Sequence, residues 1–184
     1  GVPVSHLGDM LALMDALEIP DARVVGLSMG GAVAIEMSLA RPGAVASLVL
    51  ANTAPSFRLS SWERRRMAWL RILVASLLGV GAVARITGRG FFPARGQGRL
   101  RRRLIRRASE TSRWVYLATL RALARWNAEE RLAAIRVPTL VLGAEFDMTT
   151  TADKRHWAHR SHDARVVELP GTRHHSDQDS PEGC

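Results

Sequence analysis

Apolar positions along the chain recur at two spacings. From Ser5 to Leu17 the residues Leu7, Met10, Leu11, Met14 and Leu17 follow intervals of three and four, which predicts a helix ended by Pro20 and Asp21. Ala22 to Leu27 is a short apolar run and predicts a buried strand. Gly31 to Arg41 returns to helical spacing and stops at Pro42-Gly43, and Ala46 to Ala51 predicts a second buried strand. Strand, helix and strand joined by short turns form a βαβ unit and imply a parallel sheet. The pattern changes after Thr53-Ala54-Pro55. Phe57 to Arg131 carries no strand signal and reads as helices over Ser61–Leu78, Gln97–Arg107 and Glu110–Ala124. Strand signals return at Val137–Gly143, introduced by Pro138, and at Arg165–Leu169, stopped by Pro170-Gly171; Thr151–Ser161 between them reads as a helix. The expected layout is a parallel α/β core, residues 1–56 and 132–184, interrupted by a helical insertion, residues 57–131. Ile72 to Ala84 is strongly apolar and flanked by Arg71 and Arg85. It falls short of the ~20 residues a membrane span needs, so the expectation is a buried helix of the insertion.

Composition narrows the class. With 184 residues, 47% hydrophobic and 23% charged, the chain can bury a core and is not of disordered type. Its one cysteine, Cys184, excludes an internal disulfide and points to a reducing compartment, the cytoplasm. The first residues lack the basic and apolar regions of a signal peptide. They also lack an initiator Met, so a fragment or a processed product is expected. The net charge of +9 is carried almost wholly by arginine, Lys154 being the single lysine. A GC-rich coding sequence enriches Arg, Ala, Gly and Val together, but does not by itself cluster them. Between Phe57 and Arg107 the only acid is Glu63, while Arg64-Arg65-Arg66 and Arg101-Arg102-Arg103 stand as runs. Such a surface attracts phosphates, anionic lipid or anionic substrates.

The candidate chemistry lies in the core. Gly26-Leu27-Ser28-Met29-Gly30 is a G-x-S-x-G sequence between a predicted strand and a predicted helix, a turn that projects the serine hydroxyl clear of the sheet edge. Gly26 and Gly30 are expected to leave room for close backbone packing there. A nucleophilic serine needs a base, and the base an orienting acid. Asp147 lies just past the strand Val137–Gly143, with Glu145 two residues before it; His174, followed by His175, lies just past the strand Arg165–Leu169. Loops at the carboxyl ends of parallel strands share one edge of the sheet, so Ser28, Asp147 and His174 are expected to meet there. His156, His159 and His162 fall at i, i+3 and i+6 of a predicted helix, a spacing that could suggest a metal, but no further ligand set accompanies them and they read as a solvated face, as does His6.

Serine, acid and histidine in that order, with G-x-S-x-G at a strand–helix turn, resemble the α/β-hydrolase fold. The likeness extends to Arg23-Val-Val-Gly-Leu-Ser-Met-Gly-Gly-Ala-Val-Ala, to Val45-Ala-Ser-Leu-Val-Leu-Ala-Asn-Thr-Ala-Pro, to Val137-Pro-Thr-Leu-Val-Leu-Gly-Ala-Glu-Phe-Asp, and to Glu168-Leu-Pro-Gly-Thr-Arg-His with Ser180-Pro-Glu downstream. Gly-Leu-Ser-Met-Gly-Gly followed by Leu-Ala-Asn-Thr-Ala is similar to 3-oxoadipate enol-lactonases and related small esterases. The resemblance implies a partial α/β-hydrolase sheet flanked by helices, with residues 57–131 as a helical cap. It implies a serine hydrolase with Ser28 as nucleophile, His174 as base, Asp147 as orienting acid and the Met29 N–H as an oxyanion donor. It favours Asp147 over Glu145, and His174 over His175 on the count back from Pro181-Glu182. No cofactor and no metal are implied, and the expected partner is a small-molecule ester or lactone. Cofactor-free haloperoxidases and carbon–carbon bond hydrolases share these features. Serine at position 28 argues against epoxide hydrolases and haloalkane dehalogenases of this fold, which place Asp there.

The chain departs from the family in three places. Only one helix precedes the Ser28 strand, where the family has several strands and a His-Gly loop that supplies a second oxyanion N–H. The strand Ala22–Leu27 is therefore expected to leave an exposed edge and apolar face. The usual final helix is not seen before Cys184, and Thr172-Arg173 replaces small residues before the histidine. The simplest expectation is a fragment of a protein longer by some ~70–90 residues. A competing expectation is a non-catalytic remnant whose basic segment Arg99–Arg107, with Leu100, Leu104 and Ile105 on one face, binds anionic lipid or nucleic acid. Few aromatic residues interleave there, which argues against single-strand binding.

Overall fold

The computed structural model describes residues 2–58 and 62–179. The chain divides into two compact units, one formed by residues 1–57 and 125–184 and the other by residues 58–124.

The first unit is built on a four-stranded parallel sheet in the order β1-β2-β3-β4: β1 Ala22–Leu27, β2 Val45–Ala51, β3 Thr139–Ala144 and β4 Ala164–Leu169. Its α-helices among the described residues are α1 Val2–Ala16 and α2 Met29–Ala40 before the insertion, α7 Thr151–Ala158 and the short α8 Ser176–Asp179 after it. All four predicted strands are present, each within two residues of its expected bounds. The central strands β2 and β3 are apolar runs because neighbouring strands and flanking helices cover them, while the edge strands β1 and β4 are only partly covered. Leu48, Leu50 and Val141 of the sheet pack with Ala32, Ile35 and Met37 of α2, Leu132, Ile135 and Trp157 in one buried cluster.

Glu36 of α2 lies within this apolar cluster and is held by three bonds. The Trp126 indole N–H donates to it at 2.7 Å, and the Arg131 guanidinium donates to both of its oxygens. Burial pushes its carboxyl up, but these donors outweigh that and hold it below the usual carboxylate value. The helix carrying the residues after Ser28 is thereby tied to the chain's return from the insertion.

In α1 the expected apolar face is divided. Leu7, Leu11 and Met14 join the core, while Met10 faces outward, because only the narrower i, i+4, i+7 strip meets α2 and the sheet; Leu17 lies exposed in the turn just past the helix. The exposed edge expected beside the Ser28 strand is present: β1 lies at one side of the sheet and Val25 is 72% exposed.

The second unit is helical: α3 Trp62–Leu78, α4 Val80–Phe91, α5 Gly98–Ser109 and α6 Arg113–Arg125, the last ending one residue beyond it. The apolar stretch Ile72–Ala84 is not the single helix expected. Gly79, at φ 83°, ends α3 and starts α4, a left-handed conformation that glycine adopts without penalty. The break folds the stretch back on itself, so that Ala75 and Val83 bury together with Leu117 of α6. Leu100, Leu104 and Ile105 of α5 are half-buried, with Arg99, Arg102, Arg103, Arg106 and Arg107 exposed around them. No helix among the described residues is long and apolar enough to cross a membrane.

Candidate active site

Four chain segments leave the carboxyl ends of the parallel strands at the same edge of the sheet, and each carries a residue of the site. Ser28 follows β1 directly, with φ 53° and ψ −117°, and α2 begins at the next residue, Met29, two positions earlier than the sequence spacing indicated. A non-glycine residue in that region is held there at a cost of roughly 1–3 kcal/mol. The ladder supplies the hold: the Ser28 N–H donates to Ala51 O at 2.9 Å, and the Thr53 hydroxyl donates to the Ser28 carbonyl at 2.7 Å. Met29 is the first residue of α2, so its N–H belongs to the first-turn donors that have no acceptor within the helix.

Two glycines make the turn possible: Gly26, as expected, and Gly31 in place of Gly30. A Cβ on Gly26 would lie 2.5 Å from the Gly30 carbonyl oxygen, and one on Gly31 would lie 2.5 Å from the Thr53 side chain. A Cβ on Gly30 would enter open space. Gly30 is therefore not required by packing, and Gly31, outside the five-residue pattern, is.

The imidazole of His174 stands between the other two groups. Its Nε2 is 2.9 Å from Ser28 Oγ and its Nδ1 is 2.7 Å from Asp147 Oδ1. With the proton on Nδ1, that nitrogen donates to the carboxylate and Nε2 accepts from the serine hydroxyl. Asp147 is nearly closed to solvent, its side chain 2% exposed. Burial pushes its carboxyl up, but the bonds from His174 and Lys154 outweigh that and hold it well below the usual carboxylate range.

Both near neighbours in sequence go elsewhere. Glu145 is exposed, and its carboxylate accepts the Gly171 N–H at 2.8 Å. The His175 ring meets the His174 ring edge-on at 5.4 Å, and burial, with His174 beside it, pushes its pKa down.

The loops bearing Asp147 and His174 are sewn together. Glu145 N donates to Leu169 O, Phe146 N donates to Thr172 O, and the Arg173 guanidinium lies 5.0 Å over the Phe146 ring. Thr172, in place of a small residue, is buried and donates its hydroxyl to Leu169 O at 2.7 Å, so the larger side chain closes the turn it occupies.

Asn52, at φ 46° just past β2, was not singled out by spacing, although it lies within the Leu-Ala-Asn-Thr-Ala string. Its Oδ1 accepts the Ala144 N–H at 2.8 Å, and its Nδ2 donates to the His174 carbonyl at 2.9 Å and to Ser176 Oγ at 3.0 Å. It ties the end of β3 to the histidine loop across the sheet edge. An asparagine after an apolar run is the sole trace of this in the sequence.

The helix α7 ends at Ala158, so His156, His159 and His162 do not share a helical face. All three are exposed, and no group of three metal-ligating side chains is found among the described residues. Cys184 and Ser180-Pro-Glu lie outside the described residues.

A parallel sheet with serine at a strand–helix turn and an imidazole and a carboxylate on loops beyond later strands is the arrangement of a hydrolase-type α/β protein. The chain belongs to the alpha/beta hydrolase family, whose model matches residues 2–184. It is 26% identical over 184 residues to the 3-oxoadipate enol-lactonase 1 of Acinetobacter baylyi, covering 97% of this chain and 67% of that protein. It is 31% identical over 150 residues to an Azorhizobium caulinodans protein whose name proposes carbamate hydrolysis, covering 76% of this chain and 53% of that one. The crystal structure of the enol-lactonase from Burkholderia xenovorans LB400 superposes with a TM-score of 0.86 at 27% identity, over 98% of this chain and 68% of that one. The chain thus spans between about half and two thirds of the length of these relatives.

Proposed function

We propose that this chain carries the reacting residues of a serine hydrolase that cleaves a carboxylic ester or lactone through an acyl-enzyme intermediate. The observation that carries the reading is the continuous relay Ser28 Oγ, His174, Asp147 at 2.9 and 2.7 Å, with Ser28 set on a strained strand–helix turn. Ser28 Oγ attacks the carbonyl carbon while its proton passes to His174 Nε2. Negative charge collects on the carbonyl oxygen, near the N-terminus of α2, where the Met29 N–H serves as a donor. The C–O bond to the leaving group then breaks, and His174 returns the proton to the departing alkoxide or enolate. Water repeats the sequence: it attacks the acyl carbon, His174 takes its proton, and that proton restores the Ser28 hydroxyl as the acid leaves. Asp147 holds the imidazole tautomer throughout and stabilises the imidazolium. Relatives named as enol-lactonases favour a lactone or a small ester over other acyl substrates. The test is turnover of a series of chromogenic esters and enol lactones by the wild type and Ser28→Ala. Hydrolysis that vanishes in the variant is the expected result; equal hydrolysis by both sinks the reading.

A second reading is carried by charge. Residues 58–124 hold 16 arginines against two acids, Glu63 and Glu110, which favours contact with anionic lipid or nucleic acid. Steeply salt-dependent retention on phosphatidylserine vesicles or duplex DNA that survives Ser28→Ala would support it.

A further inference from the structure

All but one of the 26 basic side chains in this protein are arginine, and the exception is buried against the candidate acid. Lys154 is fully enclosed, and its ammonium donates to Asp147 Oδ2 at 2.9 Å, to the Thr149 carbonyl at 2.6 Å and to Thr149 Oγ1 at 2.7 Å. Its three N–H groups are thereby matched by three acceptors, a geometry that suits a compact ammonium and not a planar guanidinium. The Thr149 hydroxyl, having accepted from Lys154, donates in turn to Asp147 Oδ2 at 2.8 Å. One carboxylate oxygen therefore faces His174 and the other is fixed by Lys154 and Thr149.

The surroundings are shaped for this side chain at some cost. A Cβ on Gly143 of β3 would lie 3.0 Å from both Lys154 Cδ and Thr151 Oγ1, so the strand is bare where the lysine stem crosses it. Lys154 is the fourth residue of α7, and its ammonium reaches back to the residue before the Thr150 cap, at the positive end of the helix dipole. A leucine would fill such a slot without desolvating a charge.

We propose that Lys154 is a positioning residue of the relay: with Thr149 it fixes the Asp147 carboxylate toward His174 and keeps it ionised while the imidazole gains and loses its proton. The proposal rests on the reading of Ser28, His174 and Asp147 given above. The charged and titratable groups around the carboxylate are few. Lys154 comes from α7 and His174 from the loop after β4; His175 adjoins His174, and Asp177 of α8 acts on His175. Glu145 is turned to the Gly171 N–H and Arg173 to the Phe146 ring. Withdrawing the buried cation leaves the Asp147–His174 pair freer to take up a proton, so the site loses its base at a higher pH.

The test is the second-order rate of labelling by a fluorophosphonate across pH 5–9, for the wild type, Lys154→Met and Thr149→Val, with the adduct site mapped by mass spectrometry. Labelling of Lys154→Met is expected to be about tenfold slower at pH 8, with the acid limb of its profile moved up by about one pH unit. Thr149→Val, which leaves the ammonium in place, moves the limb in the same direction by less, and it decides the matter should Lys154→Met not fold. A merely structural lysine lowers the melting temperature and leaves rate and profile as in the wild type; that outcome overturns the proposal while leaving the serine hydrolase intact. Absence of a Ser28 adduct in the wild type overturns both.

Discussion

The two compact units of this chain are built on opposite terms. Residues 1–57 and 125–184 hold all four strands, 15 of the 17 acidic residues and every candidate site residue. Residues 58–124 hold no strand among the described residues and 16 of the 26 basic ones. In the first unit single atoms are held by partners far away in the chain: Thr53 on the Ser28 carbonyl, Asn52 on the histidine loop, Trp126 and Arg131 on Glu36. In the second, helices bury a small apolar cluster and leave many arginines exposed, Arg85, Arg89, Arg102, Arg103, Arg106 and Arg107 among them, α5 burying no residue fully. Where one unit is specified position by position, the other is specified by periodicity, and substitutions should separate them.

The largest contrast should be in catalysis. His174→Ala or Asp147→Asn is expected to lower kcat for an ester by about 10⁴-fold. Replacing Arg102, Arg103 and Arg106 by glutamine should leave kcat on a neutral ester within about twofold, since exposed positions without a partner change little. Comparable losses from the arginine changes would break the division between the units.

Next come the glycines. Gly26→Ala drives a methyl into the Gly30 backbone and is expected to prevent a stable fold or cost at least ~3 kcal/mol in urea denaturation. Gly31→Ala meets the Thr53 side chain, which can shift, and should cost about 1–3 kcal/mol. Gly30→Ala meets nothing and lies within α2, so it should be neutral or stabilising by up to ~1 kcal/mol. An order other than 26, 31, 30 would contradict the geometry of the turn.

These glycines show how far the sequence could be read. The strand, the helix and the serine between them were legible because each follows from a local pattern. So were Asp147 and His174, each just past an apolar run. Gly31, Asn52 and Thr53 were not legible, because what they do depends on a partner in another part of the chain; Lys154 was not, although Asp147 is only seven residues before it, because a lysine on a helix reads as a solvated charge until the fold encloses it. Asn52 meets the His174 carbonyl 122 positions away, and the Gly31 constraint is set by a threonine side chain on another strand's loop. The helix expected over Ser61–Leu78 ends where α3 does, but α4 beyond Gly79 was not legible, because apolar residues continue unbroken on both sides and one left-handed residue redirects them.

Smaller effects sharpen the comparison. Glu36→Gln strips charge from the acceptor of two donors and should cost about 1–3 kcal/mol by urea denaturation, whereas the arginine triple variant should stay within about 0.5 kcal/mol of wild type. The pH dependence has a definite sign. The Asp147 carboxyl is held below its ordinary value of 3.8 in the folded state. Its stabilising contribution is therefore complete above that value and is lost as pH falls below it. The stability gap between wild type and Asp147→Asn should accordingly narrow from pH 6 to pH 3, and a gap that widens would show that the carboxylate is not held in this way.

The most direct test of the central claim is to react the wild type, Ser28→Ala and His174→Ala with a fluorophosphonate at pH 8 and to locate the adduct by mass spectrometry. The account predicts one adduct, on Ser28, absent from Ser28→Ala and formed at least ~100-fold more slowly in His174→Ala. An unlabelled wild type, or labelling that persists at another residue in Ser28→Ala, would contradict it.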